Sequence, residues 1–186
     1  MMQRLQLLPI GNVERELLED LCSPLSEILD APCEVLSSSF DPEPAFHIDR
    51  RQYHSSEILA RIQNLVSNDT WRILGVAEVD LYIPILTYVF GEAQMGGPCS
   101  VLSTHRLRQE FYGLPHDREL FFSRVVKEAV HEVGHTLNLT HCDEYRCAMA
   151  SSHAVEWIDL KEHNLCPGCR LLLDESKPQK HDLIRK

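Results

Sequence analysis

The sequence predicts an α/β (α+β) fold in which helices pack on a twisted mixed sheet. In the first half of the chain, β-rich apolar runs alternate with helical patterns, and a long amphipathic helix follows in the second half. The chain has 186 residues, 44% of them hydrophobic, which is enough for one compact domain with a sizeable core. We therefore expect a single domain over residues 1–173 and a polar C-terminal tail over residues 174–186.

The elements of the first half follow from apolar periodicity and from turn-forming residues. Asp41, Pro42 and Pro44 mark a loop, and apolar residues recur at helical spacing after Ser55. The predicted elements are a strand over 5–10, a helix over 13–29, a strand over 33–37, a loop over 39–51, a helix over 55–66 and strands over 72–79 and 83–90.

The second half begins with three glycines in residues 91–98, which predict a loop, and a strand is predicted from residue 99 to 103. Pro115 and Asp117 mark the start of a helix, with Asp117 as N-cap and Glu119 in the first turn. An apolar stripe then runs along this helix to Leu137, so one of its faces should be core. A short helix is predicted over 153–164.

Two histidines and a glutamate on the long helix have the spacing of a zinc hydrolase. His131 and His135 lie four residues apart, so both rings leave one helix face and can bind one ion. Glu132 lies at the flank of that ion, where its carboxylate can act as the general base that moves a proton from water to a leaving amine. The alternative is a surface helix with two solvated histidines, since an HExxH pattern arises by chance in roughly a few per cent of shuffled chains.

A third histidine follows at a position that requires a sharp turn. His141 lies six residues after His135, so a straight helix would carry it off the face of the first two. Asn138 stands at the expected turn, and asparagine is the commonest non-glycine residue in the left-handed conformation. Three neutral imidazoles with a fourth position open are the layout of a catalytic zinc site.

Four of the seven cysteines lie within residues 142–169. Cys142 and Cys147 form a CxxxxC pair, and Cys166 and Cys169 form a CxxC pair with Pro-Gly at its centre, which together predict a four-cysteine zinc site. A thioredoxin-like redox pair is the alternative for the CxxC alone, but its βαβ context is missing. Cys22, Cys33 and Cys99 are interpreted as buried apolar residues or ordinary free thiols.

The order of these residues resembles the archaemetzincins, a branch of the metzincin zinc peptidases. The resemblance rests on HExxHxxxxxHC, on the CxM of Cys147 to Met149 and on the CxxC, and it extends upstream through residues 74–82, 89–93 and 103–107. It implies a catalytic zinc on His131, His135 and His141 with Glu132 as general base, and a structural zinc on the four cysteines. It also implies a metzincin-like sheet and a Met-turn in which Met149 packs beneath the zinc ligands.

Two residues depart from the pattern of that family. Asn138 replaces the glycine expected at the turn, and Ser151 stands where some metzincins have a tyrosine that can stabilise the oxyanion. The metzincin architecture also implies that an edge strand borders the cleft and pairs with extended substrate. We expect residues 99–107 to be that edge, the alternative being an interior strand without a substrate role.

The sequence predicts a zinc-dependent peptidase, with a peptide or protein as substrate; aminopeptidase and endopeptidase action both stay open. The alternative is a catalytically silent, zinc-stabilised module that binds peptides or regulates, although such a module would not need Glu132. The formal net charge of −10 argues against nucleic acid and anionic membranes as partners. Without an apolar leader or an apolar run of about 18 residues, we expect a cytoplasmic protein with reduced thiols. We also expect a monomer.

Overall fold

A computed structural model describes residues 4–67 and 70–176 of the chain. Its strands are β1 (Leu5–Ile10), β2 (Cys33–Val35), β3 (Phe46–His47), β4 (Gln52–His54), β5 (Arg72–Ala77), β6 (Leu81–Tyr82), β7 (Gly91–Ala93) and β8 (Cys99–Ser103). Its α-helices are α1 (Arg15–Leu29), α2 (Ser55–Gln63), α3 (Arg118–Thr136), α4 (Val155–Leu160) and α5 (Pro167–Ser176). The prediction of a mixed α/β fold is confirmed.

Five strands form the main sheet in the order β2-β1-β5-β8-β7. The first four are parallel to one another, and β7 pairs antiparallel with β8, Glu92 lying opposite Val101. Strands β3, β4 and β6 form a small second sheet. The short antiparallel strand at one edge is what makes the main sheet mixed.

The core has two layers because the central strands are apolar on both faces. Along β1, Leu5 and Leu7 face α1 and α3, whereas Leu8 and Ile10 face α2. This alternation follows from the two-residue period of a strand, and it explains why β1 and β5 read as continuous apolar runs. The sheet is thus covered on both faces, and α3 lies on the same face as α1.

The prediction that residues 99–107 form the sheet edge was wrong. Strand β8 lies between β5 and β7 with all five residues buried, and the chain continues from it into a 3₁₀ turn. The edge is β7, inside the segment predicted as a glycine-rich loop. The strand predicted over residues 83–90 was also wrong. This segment is mostly turns and bends, it joins the small sheet through a single Leu81–Val89 bridge, and Ile85 is 86% exposed.

The helix predictions were confirmed in position and differ at the ends. Helix α1 begins two residues later than predicted, α2 ends three residues earlier, and α4 covers only the middle of the predicted 153–164 segment. Helix α5 continues through Asp174, the first residue of the predicted tail, and residues 177–186 lie outside the described part of the chain. Among the described residues, no helix is both long and apolar enough to cross a membrane.

Candidate metal centre and active-site cleft

Helix α3 positions the first two histidines and the glutamate. The Asp117 side chain caps its N-terminus by accepting a hydrogen bond from Leu120 N at 2.9 Å, as predicted. The C-terminal half of the helix is almost entirely buried, with His131 only 6% and Glu132 only 5% exposed. The three side chains are therefore held by a helix that is packed into the core.

The structure brings the three predicted histidines together. Each histidine contributes one ring nitrogen to a group of three, and these three nitrogens all lie within 4.8 Å of one another. His131 Nε2 and His135 Nε2 are 3.0 Å apart, and the ring of His141 lies with its centroid 5.3 Å from that of His131 and 5.0 Å from that of His135. Three imidazoles at these separations can ligate one ion.

The hydrogen bonds of the first two imidazoles fit a metal. His131 Nδ1 lies 2.9 Å from Ala148 O and His135 Nδ1 lies 2.8 Å from Leu139 O. A carbonyl oxygen only accepts, so each Nδ1 carries the proton and each Nε2 presents a lone pair. Burial lowers the pKa of all three histidines, most strongly for His131, and so favours neutral rings. Two lone pairs 3.0 Å apart repel each other unless a cation lies near both, and neutral imidazoles are good zinc ligands.

Asn138 makes the turn that returns the chain to the site. Its φ of 65° is the left-handed conformation predicted from the sequence. Leu139 N then donates to Gly134 O at 3.0 Å, which closes the end of α3 and places Leu139 O against His135. His141 follows two residues later, so asparagine performs the turn expected of glycine.

Glu132 lies between the helix and the edge strand. A Cβ added to Gly91 of β7 would lie 2.6 Å from Glu132 Oε1, so the absence of a side chain there lets the carboxylate approach the strand. Burial, with Glu128 as the next contributor, raises the pKa of Glu132 well above its ordinary value. A raised pKa suits a group that both accepts and returns a proton.

Met149 lies beneath the helix that carries the histidines. It is fully buried, and its Sδ occupies the space that a Cβ on Gly134 would need, only 2.4 Å away. The carbonyl of Met149 accepts a hydrogen bond from Cys142 N at 3.0 Å, which ties this turn to the residue after His141. The apolar position predicted for Met149 agrees with this packing.

The four clustered cysteines form a second group with metal-site geometry. The Sγ atoms of Cys142, Cys147, Cys166 and Cys169 all lie within 4.8 Å of one another. The backbone N–H of Cys169 lowers the pKa of the Cys166 thiol to about 7, whereas burial raises the pKa of the Cys142 and Cys169 thiols, so the metal-site assignment rests on the positions of the four sulfurs. Since both pairs converge on one point, a four-thiolate site explains the arrangement better than a redox pair made by the CxxC alone.

The other three cysteines lie apart from this group. Cys99 is buried in β8, in agreement with its interpretation as an apolar residue. Cys22 on α1 and Cys33 on β2 are half-buried, and their Sγ atoms are only 2.7 Å apart. Their proximity was not predicted, because nothing in the spacing of these two residues reveals that the first helix packs beside the second strand.

A cleft of about 480 Å³ lies over the histidines. Residues 86–93 form one rim and residues 151–153 the other, while Glu128, His131, Glu132 and His135 line it from α3. The Tyr88 hydroxyl donates to His153 O at 2.9 Å and so joins the two rims. Glu132 and the candidate ligands thus face a cavity that a peptide segment can enter.

Comparison with known proteins gives the family. The model of Peptidase family M54 matches residues 32–175. An archaemetzincin from Methanocaldococcus jannaschii is 38% identical over 169 residues, which cover 91% of this chain and 92% of that protein. One from Natronomonas pharaonis is 36% identical over 167 residues, 88% and 95% of the two chains. The chain belongs to the archaemetzincin family.

The solved structures of this family share the fold. A zinc-dependent peptidase from Methanocorpusculum labreanum has a TM-score of 0.83 at 28% identity, over 91% of this chain and 99% of that one. The archaemetzincin from Methanopyrus kandleri has a TM-score of 0.80 at 32% identity, over 94% and 95%. The chain is therefore a zinc metallopeptidase with the archaemetzincin architecture, as its sequence resemblance implied.

Three residues near the site of this archaemetzincin were missed in the sequence. Gly91 lies against Glu132, Glu128 lines the cleft one turn before His131, and Lys161 contacts Glu128. The position of Glu128, three residues before the HExxH motif, was a signal that it shares the helix face of His131. Gly91 and Lys161 gave no such signal, since both reach the site from other segments.

Proposed function

We propose that this archaemetzincin hydrolyses peptide bonds with one zinc held by His131, His135 and His141 and with Glu132 as general base. The observation that carries the proposal is the pair of unprotonated Nε2 atoms 3.0 Å apart, with Glu132 beside them in the cleft. Zinc, when bound, supplies Lewis acidity toward the scissile carbonyl and toward water.

Side chains of the protein carry out the proton transfer and hold the zinc ligands in place. Glu132 takes the proton of the attacking water and delivers it to the leaving amine, a role that its raised pKa supports. His131 and His135 stay neutral and fixed in orientation through their Nδ1 hydrogen bonds. Because a serine stands at position 151, no tyrosine from that position assists the oxyanion.

A second zinc on Cys142, Cys147, Cys166 and Cys169 completes the proposal, giving two zincs per chain with different roles. Four thiolates leave no open position, so this zinc is structural. It would hold the segment that begins at Cys142, directly after His141, and so help to fix the third histidine, which lies beyond the end of α3.

The test is Glu132→Ala together with Glu132→Gln in zinc-loaded protein. We expect both variants to keep two zincs per chain and to lose about 10²–10⁴-fold or more in kcat/KM, the range typical of a lost general base. Glu119→Gln makes the same chemical change at an exposed site on the same helix and should keep wild-type activity. Cleavage by Glu132→Ala at the wild-type rate would refute the mechanism.

Substrates for this test come from an unbiased peptide library, digested by the zinc-loaded protein and read by mass spectrometry. Parallel digestion of free and N-acetylated peptides tests the aminopeptidase form of the proposal, since an aminopeptidase requires the free amine. A protein that binds two zincs and retains peptides, yet cleaves none, would instead be the silent binding module.

A further inference from the structure

Two charged side chains are buried behind His131. Lys161 Nζ lies 3.2 Å from Glu128 Oε1, and the two side chains are only 1% and 3% exposed. Removing both charges from water is costly, and a buried ion pair often adds nothing to stability compared with apolar residues of the same size. Such a pair therefore calls for an explanation in its contacts.

The contacts of this pair lead to a candidate ligand. Lys161 Nζ donates to Ala148 O at 3.4 Å, and the same oxygen accepts the Nδ1–H of His131 at 2.9 Å. A carbonyl oxygen has two lone pairs and can serve both donors. One backbone oxygen thus joins the ammonium of Lys161 to the ring that presents Nε2 to the cleft.

The backbone around Lys161 is aligned with the Met-turn. Glu162 N donates to Arg146 O at 2.7 Å, and Ala148 N donates to Asn164 O at 3.1 Å. Residues 161–164 therefore run beside residues 146–148, and the side chain of Lys161 is directed beneath this turn toward Glu128 on α3. The ion pair connects α3 to the turn at the height of His131.

From this chain of contacts we infer that Lys161, with Glu128 as its counter-ion, is a positioning pair for the histidine metal site. It fixes the Ala148 carbonyl and, through it, the orientation of the His131 ring. Groups that hold a ligating histidine by its second nitrogen commonly affect metal affinity although they never touch the ion. This inference rests on the proposed function, because it requires His131 to be a ligand.

A neighbouring ion pair on the same helix provides a contrast. Arg124 binds Asp159 of α4 through two hydrogen bonds of 2.7 Å and donates to Leu107 O at 2.9 Å. None of these described bonds reaches a carbonyl that a candidate ligand uses. Arg124–Asp159 joins α3 to α4 without contacting the site, so it serves as a control on the same helix, with Asp159 33% exposed where both partners of the first pair are buried.

The experiment replaces each pair by methionines, giving Lys161→Met/Glu128→Met and, as control, Arg124→Met/Asp159→Met. Removing both partners leaves no unpaired buried charge, and methionine adapts to the space that is left. Mild chelation removes the metal of the histidine site from the full-length protein, and Co²⁺ is then titrated into it. Competition with a chelator gives the Co²⁺ affinity, and the absorption spectrum reports the ligand geometry.

We expect the Lys161→Met/Glu128→Met protein to bind Co²⁺ about 10-fold or more weakly, with an altered spectrum, and the control to stay within about twofold of wild type. Wild-type affinity in the first protein, or an equal loss in the control, would overturn the inference. A wild-type protein that binds no Co²⁺ at the histidines would refute the proposed function instead, and this inference with it.

Should the methionine variant fail to fold, Lys161→Gln/Glu128→Gln replaces it. The two glutamine side chains can hydrogen-bond to each other. Glutamine is shorter than lysine, so the side chain at 161 does not reach the position of the lysine ammonium, and Ala148 O loses this donor. The same loss of Co²⁺ affinity is expected, and wild-type affinity in this variant would also overturn the inference.

Discussion

Asn138 adopts the left-handed backbone conformation although, unlike glycine, it carries a side chain. Its φ of 65° is a conformation that costs most L-residues roughly 1–2 kcal/mol, and asparagine less because its short polar side chain can bond locally. The turn is needed because His141 has to return to the face of His131 and His135. We therefore expect the departure from glycine to change the stability of the turn rather than its shape.

A substitution series at this position measures that difference. Asn138→Ala should lower the free energy of unfolding by about 1 kcal/mol, and Asn138→Gly should leave it within about 0.5 kcal/mol of wild type. Urea denaturation of the zinc-saturated proteins gives both values. Equal stability of the alanine and glycine variants would show that the left-handed conformation is not what limits this position.

The sequence alone predicts the role of a residue when that role depends on local spacing. His131, Glu132 and His135 are related by one helical turn, the Asp117 cap by its place before an apolar stripe, and the cysteine pairs by short intervals. Lys161 could not be found this way, because it meets Glu128 across 33 residues of chain. Its role arises only when α3, the Met-turn and the segment after α4 are packed together.

At the scale of elements, the edge strand β7 could not be predicted from the sequence pattern. Strand β7 has three residues, one of them glycine, so neither alternation nor β-propensity can be recognised in it. Strand β8 is longer and apolar, so the sequence favoured it over β7 as the edge strand. Its apolar character instead reflects burial on both faces, as expected for an interior strand.

Gly91 provides a test of how β7 supports the site. A Cβ there would lie 2.6 Å from both Glu132 Oε1 and Val101 O, so Gly91→Ala has to displace the carboxylate or open the β7–β8 pairing. We expect kcat/KM to fall about 10-fold or more while the zinc content stays unchanged, because Glu132, the proposed general base, has to lie within hydrogen-bond reach of the proton it takes.

The control for this variant is Ala60→Gly, which also changes one methyl group but at an exposed position of α2 that does not line the cleft. It should keep activity near that of wild type. The role assigned to Gly91 would be contradicted by a Gly91→Ala enzyme of full activity, measured on the same peptide and at equal zinc loading.

At the scale of the whole molecule, the two candidate metal sites share one stretch of backbone. His141 and Cys142 are consecutive, Cys142 N binds Met149 O, and Cys166 N lies 3.3 Å from Cys147 Sγ. The histidine group opens to the cleft, whereas Cys147 and Cys169 are buried. The two sites should therefore differ in how readily they release metal.

Metal removal should accordingly occur in two stages. A mild chelator should take the histidine zinc first and abolish hydrolysis with the fold intact, because neutral ligands around an open position hold zinc less firmly than four thiolates. A thiol-reactive reagent should then release the second zinc and lower the thermal midpoint of unfolding. Zinc release followed with an indicator dye checks the order, and a thiol reagent that releases no zinc would refute the four-cysteine site.

The overall composition supports coarser statements. The absence of nucleic-acid binding, inferred from the formal net charge of −10, stays a prediction from the sequence, as do a monomeric state and a cytoplasmic location. The single-domain organisation over residues 1–173 also stays a prediction. The fold class implied by the sequence resemblance agrees with the observed sheet. Fold class can be predicted from sequence because it depends on many weak patterns that add together.

Gly96 and Asn138 lie where the loop after β7 meets the end of α3. A Cβ on Gly96 would fall 2.4 Å from Asn138 Oδ1, and Gly96 N donates to His135 O at 3.0 Å. The φ of 67° at Gly96 already strains any side chain there, and the amide at 138 adds a steric obstacle that a glycine at 138 would remove. Because the two positions are in contact, the effects of substitutions at them are not expected to be additive. The space open to a residue in this loop is therefore set partly by the residue that stands in the turn.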